Sequence, residues 1–178
     1  MDIRQEAIRI ERVFALLLFA GLIGFFVYRV SGVAEVAERM SVETHIRQLQ
    51  AAIDMEFANL MMLNQQKKAL NWLGKNPFPM LKAASESENI FSDYLGVQWD
   101  VQLNNIERGK WIYDKNQKVI IYRLKNDGVV TSNDPIKGRM VWKVIPRVIE
   151  ENDLIHSGKH KRVDSVRLKS LYEYKLNY

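Results

Sequence analysis

From Val13 to Tyr28 the chain runs 16 residues without a charge. At 1.5 Å per residue such a helix spans only about 24 Å, short of the ~30 Å hydrocarbon core of a bilayer. Arg12 and Arg29 bound the run, and both can snorkel to the interface on long apolar stems. Small and apolar residues, "VSGVA", follow and carry the buried length to Ala34. The pattern predicts a transmembrane helix over 13–34, preceded by a cytoplasmic segment over 1–12. A cleaved signal peptide is the competing reading. It needs a shorter apolar core and an A-x-A-like site, and the residues around Ser31 and Gly32 are a weak match, so an uncleaved anchor is favoured. Arg4, Arg9 and Arg12 precede the span, which places everything after it on the exported side, the periplasm of a bacterium, although Arg29 and Arg39 pull the other way. Within the span Ala20, Gly21 and Gly24 give a small-xxx-small spacing. That spacing permits close helix–helix approach, hence a homo- or hetero-oligomer through the N-terminal helix.

The next segment, 35–74, has no proline and no glycine before Gly74. Val42, Ile46, Leu49, Ile53, Phe57, Leu60 and Leu63 fall in steps of three or four, the period of an amphipathic helix. Leu70 and Trp72 extend the expected helix, and Gly74 suits the position just past a C-terminal cap. With no break before Gly74, this helix and the membrane span are able to form one rod of about 60 residues, roughly 90 Å long. The stripe has two uses, a coiled coil or packing on the chain's own sheet. Thr44, Glu56 and Lys67 spoil a strict heptad, while Met55, Met61 and Met62 widen the stripe, which favours packing on a sheet.

After a loop-rich connection over 75–107, opened by "NPFP" stopping the helix, the period changes to two. "GKWIYDKNQKVIIYRLKNDG" predicts a hairpin around the loop Lys115–Lys118. "GRMVWKVIPRV" sets Met140, Trp142, Val144 and Val148 against Arg139, Lys143 and Arg147, with Pro146 best placed at an edge or strand end. "VRLKSLYEYKLNY" sets Val166, Leu168, Tyr172, Tyr174, Leu176 and Tyr178 against Arg167, Lys169, Glu173 and Lys175. Four such strands predict one antiparallel sheet, dry on one face and basic on the other. A long helix across the dry face completes an α+β domain over 75–178.

Composition adds an asymmetry. Residues 1–107 carry 10 Lys+Arg against 13 Asp+Glu, whereas 108–178 carry 16 against 8. The net +8 of the C-terminal part suits an anionic lipid, a polyanion or an acidic protein, or simply a solvated sheet face. There is no cysteine, which excludes disulfides, thiolate catalysis and cysteine metal sites. No nucleophile elbow, P-loop, dinucleotide fingerprint or zincin motif occurs. No catalytic residue, cofactor or metal is therefore expected, and no nucleic-acid partner. His45 reads as a solvent-facing helix residue. "HSGKH" (156–160) has a ligand-like spacing that Gly158 converts to a turn, and "KHKR" (159–162) reads as a solvated loop. Asp93, Asp100 and Asp114 read as turn caps.

The order of elements, with "RIERVFALLLFAGLIG" and its Glu11 two residues before the apolar run, resembles the N-terminus of type IV pilins and pseudopilins. "NPFPML…YLG…GKWIYDKNQKVIIYRLKN" resembles a stretch of pilin-like accessory proteins, closest to the MshF-type biogenesis proteins of mannose-sensitive haemagglutinin (MSHA) pili. The two stretches cover about half the chain. The resemblance implies a pilin-like fold and a non-enzymatic role in pilus assembly at the inner membrane. It implies lipid, pilins and inner-membrane assembly proteins as partners, with Glu11 as the pilin-like N-terminal glutamate. One departure matters: Glu6 and Ala7 stand where processed pilins carry the glycine and phenylalanine of the peptidase site, so retention in the membrane is expected. A membrane-anchored periplasmic scaffold or sensor acting through a coiled coil is the alternative.

Overall fold

The structure, a computed structural model, describes residues 3–84, 92–127, 130–152 and 159–176. The chain is α+β and divides into two compact units, Met1–Ser41 and Val42–Tyr178. A single helix, α1 (Ile3–Met62), contributes to both. The first unit is its N-terminal part.

The second unit begins with the amphipathic part of α1. Leu49 and Ile53 are fully buried, Val42, Ala52 and Phe57 nearly so, and Ile46 and Leu60 pack against the same core. The anticipated stripe is thus the packed face, and its partner is the chain's own sheet. Two expectations about this helix need correction. First, it ends at Met62 rather than near residue 74. Asn64 takes φ +54°, the Gln65 N–H bonds the Leu60 carbonyl (2.7 Å) and the Asn64 N–H bonds that of Met61 (3.0 Å). That pairing is a Schellman stop, in which a left-handed residue satisfies the last carbonyls; asparagine tolerates the conformation almost as glycine does. Leu70 and Trp72 belong instead to a 3-10 segment, Gln66–Trp72, which buries Ala69 and Trp72. Second, Leu63, Met55, Met61 and Met62 do not widen the core, since all four are exposed.

Gly74 closes the 3-10 segment with φ +65°, and a Cβ there would stand 2.6 Å from Lys118 Cβ. Only glycine meets both demands. "NPFP" then opens a helix rather than merely stopping one. Asn76 Oδ1 accepts the Phe78 N–H (3.1 Å), Pro77 takes the first helical position, and α2 (Phe78–Ala84) follows.

The main sheet has the order β1-β2-β3-β5-β6: β1 (Tyr94–Gln98), β2 (Trp111–Asp114), β3 (Val119–Arg123), β5 (Arg139–Asn152) and β6 (Lys159–Ser170). A separate antiparallel pair joins β4 (Val130–Ser132) to β7 (Tyr174–Leu176). The hairpin around 115–118 forms where the alternation put it. The sheet is mixed, however, not antiparallel, because β1 runs parallel to β2. The expected last strand is also two strands. β6 ends at Ser170, where the Ser170 hydroxyl donates to the Tyr172 carbonyl (2.6 Å), and the chain crosses over to pair with β4. The "KHKR" segment lies in β6, not in a loop; His156 and Tyr178 lie outside the described residues.

The expectation of one dry and one solvated face is half right. Trp111, Tyr113, Ile120, Tyr122, Trp142, Val144, Val163 and Val166 share the core with α1. On the opposite face Ile112, Val119, Ile121 and Val141 form a second buried cluster with Ile106, capped by Val101, Leu103 and Tyr172. Arg123 fastens this cover by donating to the carbonyls of Leu103 (2.5 Å) and Ile106. The β5–β6 portion keeps an open outer face. A register shift between Arg147 and Val148 pairs Val148 with Val163 while Arg147 pairs with Ser165, leaving Asp164 as the extra residue of a bulge. The bulge explains why Val163 and Val166, three apart, both face inward. It also lies where Val148, expected in the dry row, is exposed instead. Pro146 is tolerated mid-strand because Trp142 is the last β5 residue paired with β3, so that edge of β5 has no ladder bond to lose.

Candidate functional site

The apolar helix surface is the first candidate. Every described residue from Val13 to Arg29 is exposed, including Phe19, Phe25 and Phe26, which are about two-thirds exposed. A fold does not leave that much apolar surface in water without a second medium or partner to cover it. The helix that carries it, from Arg12 to Met62, is by length and composition long and apolar enough to cross a membrane. Ala20, Gly21 and Gly24 are exposed on it, and a Cβ built on either glycine meets nothing within 4 Å among the described residues. Glu11 lies on α1, but its side chain is outside the described residues.

In the second unit α1 carries a second stripe that hydropathy hid. Thr44, Gln48, Ala51, Met55, Ala58 and Met62 alternate steps of four and three, and all are exposed and uncharged. This row lies on the side of α1 away from Leu49 and Ile53, and its steps follow heptad spacing. From Ala51 to Met62 alanine alternates with methionine, a face another helix can approach closely and adapt to. The signal was legible as an absence of charge at heptad spacing, but the stronger apolar stripe masked it.

Gln50, between the two faces, is the polar group that ties α1 to the sheet edge. Its Oε1 accepts the Leu168 N–H (2.7 Å), and its Nε2 donates to the Val166 carbonyl (3.0 Å) and to Asp54 Oδ1 (2.8 Å). The carboxamide therefore takes the bonds that a neighbouring strand would make to β6, which blunts an edge otherwise open to another chain. Gln50→Ala leaves both backbone groups without this partner. It is expected to lower stability by about 1–3 kcal/mol, read by urea unfolding, and to promote association through β6, read by light scattering.

His45 is not solvent-facing as expected. It is half-buried, with its ring edge-on to Trp111 at 5.8 Å. Burial pulls its pKa below the ordinary histidine value, opposed by the negative charge of Asp93, which Lys110 holds at 2.9 Å. Because the folded pKa is the lower one, the unfolded chain binds more protons in acid. Stability is full above the ordinary histidine range and declines as pH falls through it. Thermal melts of the wild type should drop between about pH 7.5 and about pH 5, and His45→Gln should flatten part of that drop.

Of the carboxylates expected to cap turns, Asp114 does so, whereas Asp93 pairs with Lys110. Asp114 Oδ1 accepts the N–H groups of Asn116 (2.8 Å) and Gln117 (3.0 Å), capping the hairpin turn. Asp134 and Arg139 form a buried bidentate pair. Tyr174 of β7 accepts the Val141 N–H (2.6 Å), and burial pushes its phenol up to about 12. No described group of three or more His, Asp or Glu side chains is arranged to hold a metal ion. No family model, curated protein or solved structure matches the chain.

Proposed function

We propose that this chain is a non-enzymatic, pilin-like protein of the bacterial inner membrane. It assists assembly of a type IV pilus of the MSHA kind through protein–protein contacts. In this reading residues 13–34 cross the bilayer once, 1–12 stay in the cytoplasm and the sheet domain stands in the periplasm. The observation that carries it is α1 itself. One helix has a fully exposed apolar N-terminal part and continues into an amphipathic part that packs on a sheet and still shows an uncharged second face. The division of labour follows physically. Lipid covers the apolar part, the chain's own sheet covers one stripe, and helices of pilins or assembly proteins cover the other. The Glu6–Ala7 pair in place of a peptidase site supports retention in the membrane.

The uncharged stripe equally favours a second reading, a membrane-anchored scaffold that pairs with its own copy through the same face. Site-specific crosslinking separates the two. With cysteine at Ala51 or Ala58, the proposal expects adducts with a pilin or a pilus assembly protein in cells, and expects none from a control cysteine at Lys137. Adducts of the chain with itself alone would give the scaffold reading. Adducts equal to those of the control would exclude both.

A further inference from the structure

The open outer face of β5–β6 carries a strip of cations, of which Arg147 has a weak acidic partner. Alternation from Val141, which packs in the second cluster, puts Lys143, Ile145 and Arg147 on this face. Across the ladder Lys143 pairs directly with Lys169, Ile145 with Arg167 and Arg147 with Ser165. Arg147 has one weak partner, Asp164 at 3.8 Å. Lys143, Arg167 and Lys169 make no ion pair among the described residues. Arg167 and Lys169 are exposed and Lys143 is half-buried, its stem lying near Gly74. Two lysines placed directly opposite each other repel, a cost that a sheet bears at a free face unless an anion relieves it.

We propose that this strip is a docking surface for an acidic protein segment in extended conformation. The match is one of sign and spacing. On β6 Arg167 and Lys169 stand about 6.8 Å apart, on β5 Lys143 and Arg147 stand about 13.6 Å apart with Ile145 between them, and Lys143 lies about 5 Å across the pair from Lys169. An extended chain whose carboxylates alternate with neutral residues repeats at the same 6.8 Å. The aliphatic Ile145 beside Arg167 receives the neutral side chains, and the guanidinium of Arg167 receives a carboxylate through two parallel hydrogen bonds. Bases and lipid interfaces call for aromatic side chains, and positions 143–147 and 165–169 of this face hold none. The inference stands on the sheet alone and does not depend on the membrane reading.

The test is fluorescence anisotropy of the full chain in neutral detergent with a labelled peptide of alternating glutamate and threonine. Wild type should bind, and raising salt should weaken binding as exposed charges are screened. The triple variant Lys143→Gln/Arg167→Gln/Lys169→Gln should bind about tenfold more weakly. A control removing three other exposed cations, Lys67→Gln/Lys82→Gln/Lys137→Gln, should bind within about twofold of wild type. Reversal to glutamate at the same three strip positions should transfer binding to a lysine–threonine peptide, with unchanged melting curves showing that the fold persists. Equal losses in the strip and control variants would overturn the proposal, as would no wild-type binding. So would tighter strip-dependent binding to phosphatidylglycerol vesicles or single-stranded DNA than to the acidic peptide.

Discussion

Trp111→Ala is expected to lower the unfolding free energy of the second unit by about 3–5 kcal/mol, the range for deleting a large buried aromatic side chain. Trp111 is only 1% exposed and sits in β2 at the centre of the shared core. Its ring lies 4.7 Å from that of Tyr122 and 5.4 Å from that of Trp142, its neighbours across the sheet, and His45 of α1 meets it edge-on. One truncation thus empties the junction of three strands and the helix, where little can move in to fill the space. Urea unfolding followed by tryptophan fluorescence measures the loss. Trp99, which is 61% exposed, gives the comparison: Trp99→Ala should change stability by about 0.5 kcal/mol or less.

Arg139→Ala should cost about as much, 3–5 kcal/mol, for a different reason. Asp134 has a fully buried side chain, and Arg139 reaches it with Nε at 2.9 Å and a second nitrogen at 3.1 Å. The same carboxylate accepts the Ile136 N–H (2.8 Å), so the pair ties the turn before β5 to the start of that strand. Removing the guanidinium leaves a buried carboxylate without its cation. The double variant Arg139→Ala/Asp134→Ala should recover part of the loss, because no stranded charge remains. Denaturation curves of the two variants compare these states directly.

The parts of this fold legible in the sequence are those where one physical signal dominated. The apolar run to Tyr28, the stripe through Leu49 and Ile53, and the hairpin at 115–118 each follow from a period that nothing nearby contradicts. What was missed depended on backbone geometry. The end of α1 at Met62 rests on a left-handed Asn64, which hydropathy does not register. β1 gave no hydrophobic period because its more buried positions are Tyr94, Gly96 and Gln98 while Leu95 and Val97 are exposed, and a parallel partner 13 residues away leaves no hairpin signal. The bulge at Asp164 moved Val163 inward against the simple period of two. The buried second face arose because 101–106 folds back and Arg123 holds it there, a contact between segments that look unrelated in sequence. The candidate site divides the same way. Its apolar half was plain, while the uncharged row from Thr44 to Met62 emerged only once the sheet was seen to claim the opposite side of α1.

The proposed function requires a single membrane crossing with the sheet domain outside the cytoplasm. The chain has no cysteine, so single cysteines can be labelled without background. The decisive measurement is labelling by a membrane-impermeant maleimide in cells with a permeabilised outer membrane, comparing Lys137→Cys with Gln5→Cys. Lys137→Cys is expected to react in these cells and Gln5→Cys only after lysis, with both proteins in the membrane fraction. Labelling in the opposite order, or recovery of the protein in the soluble fraction, would contradict the proposed function.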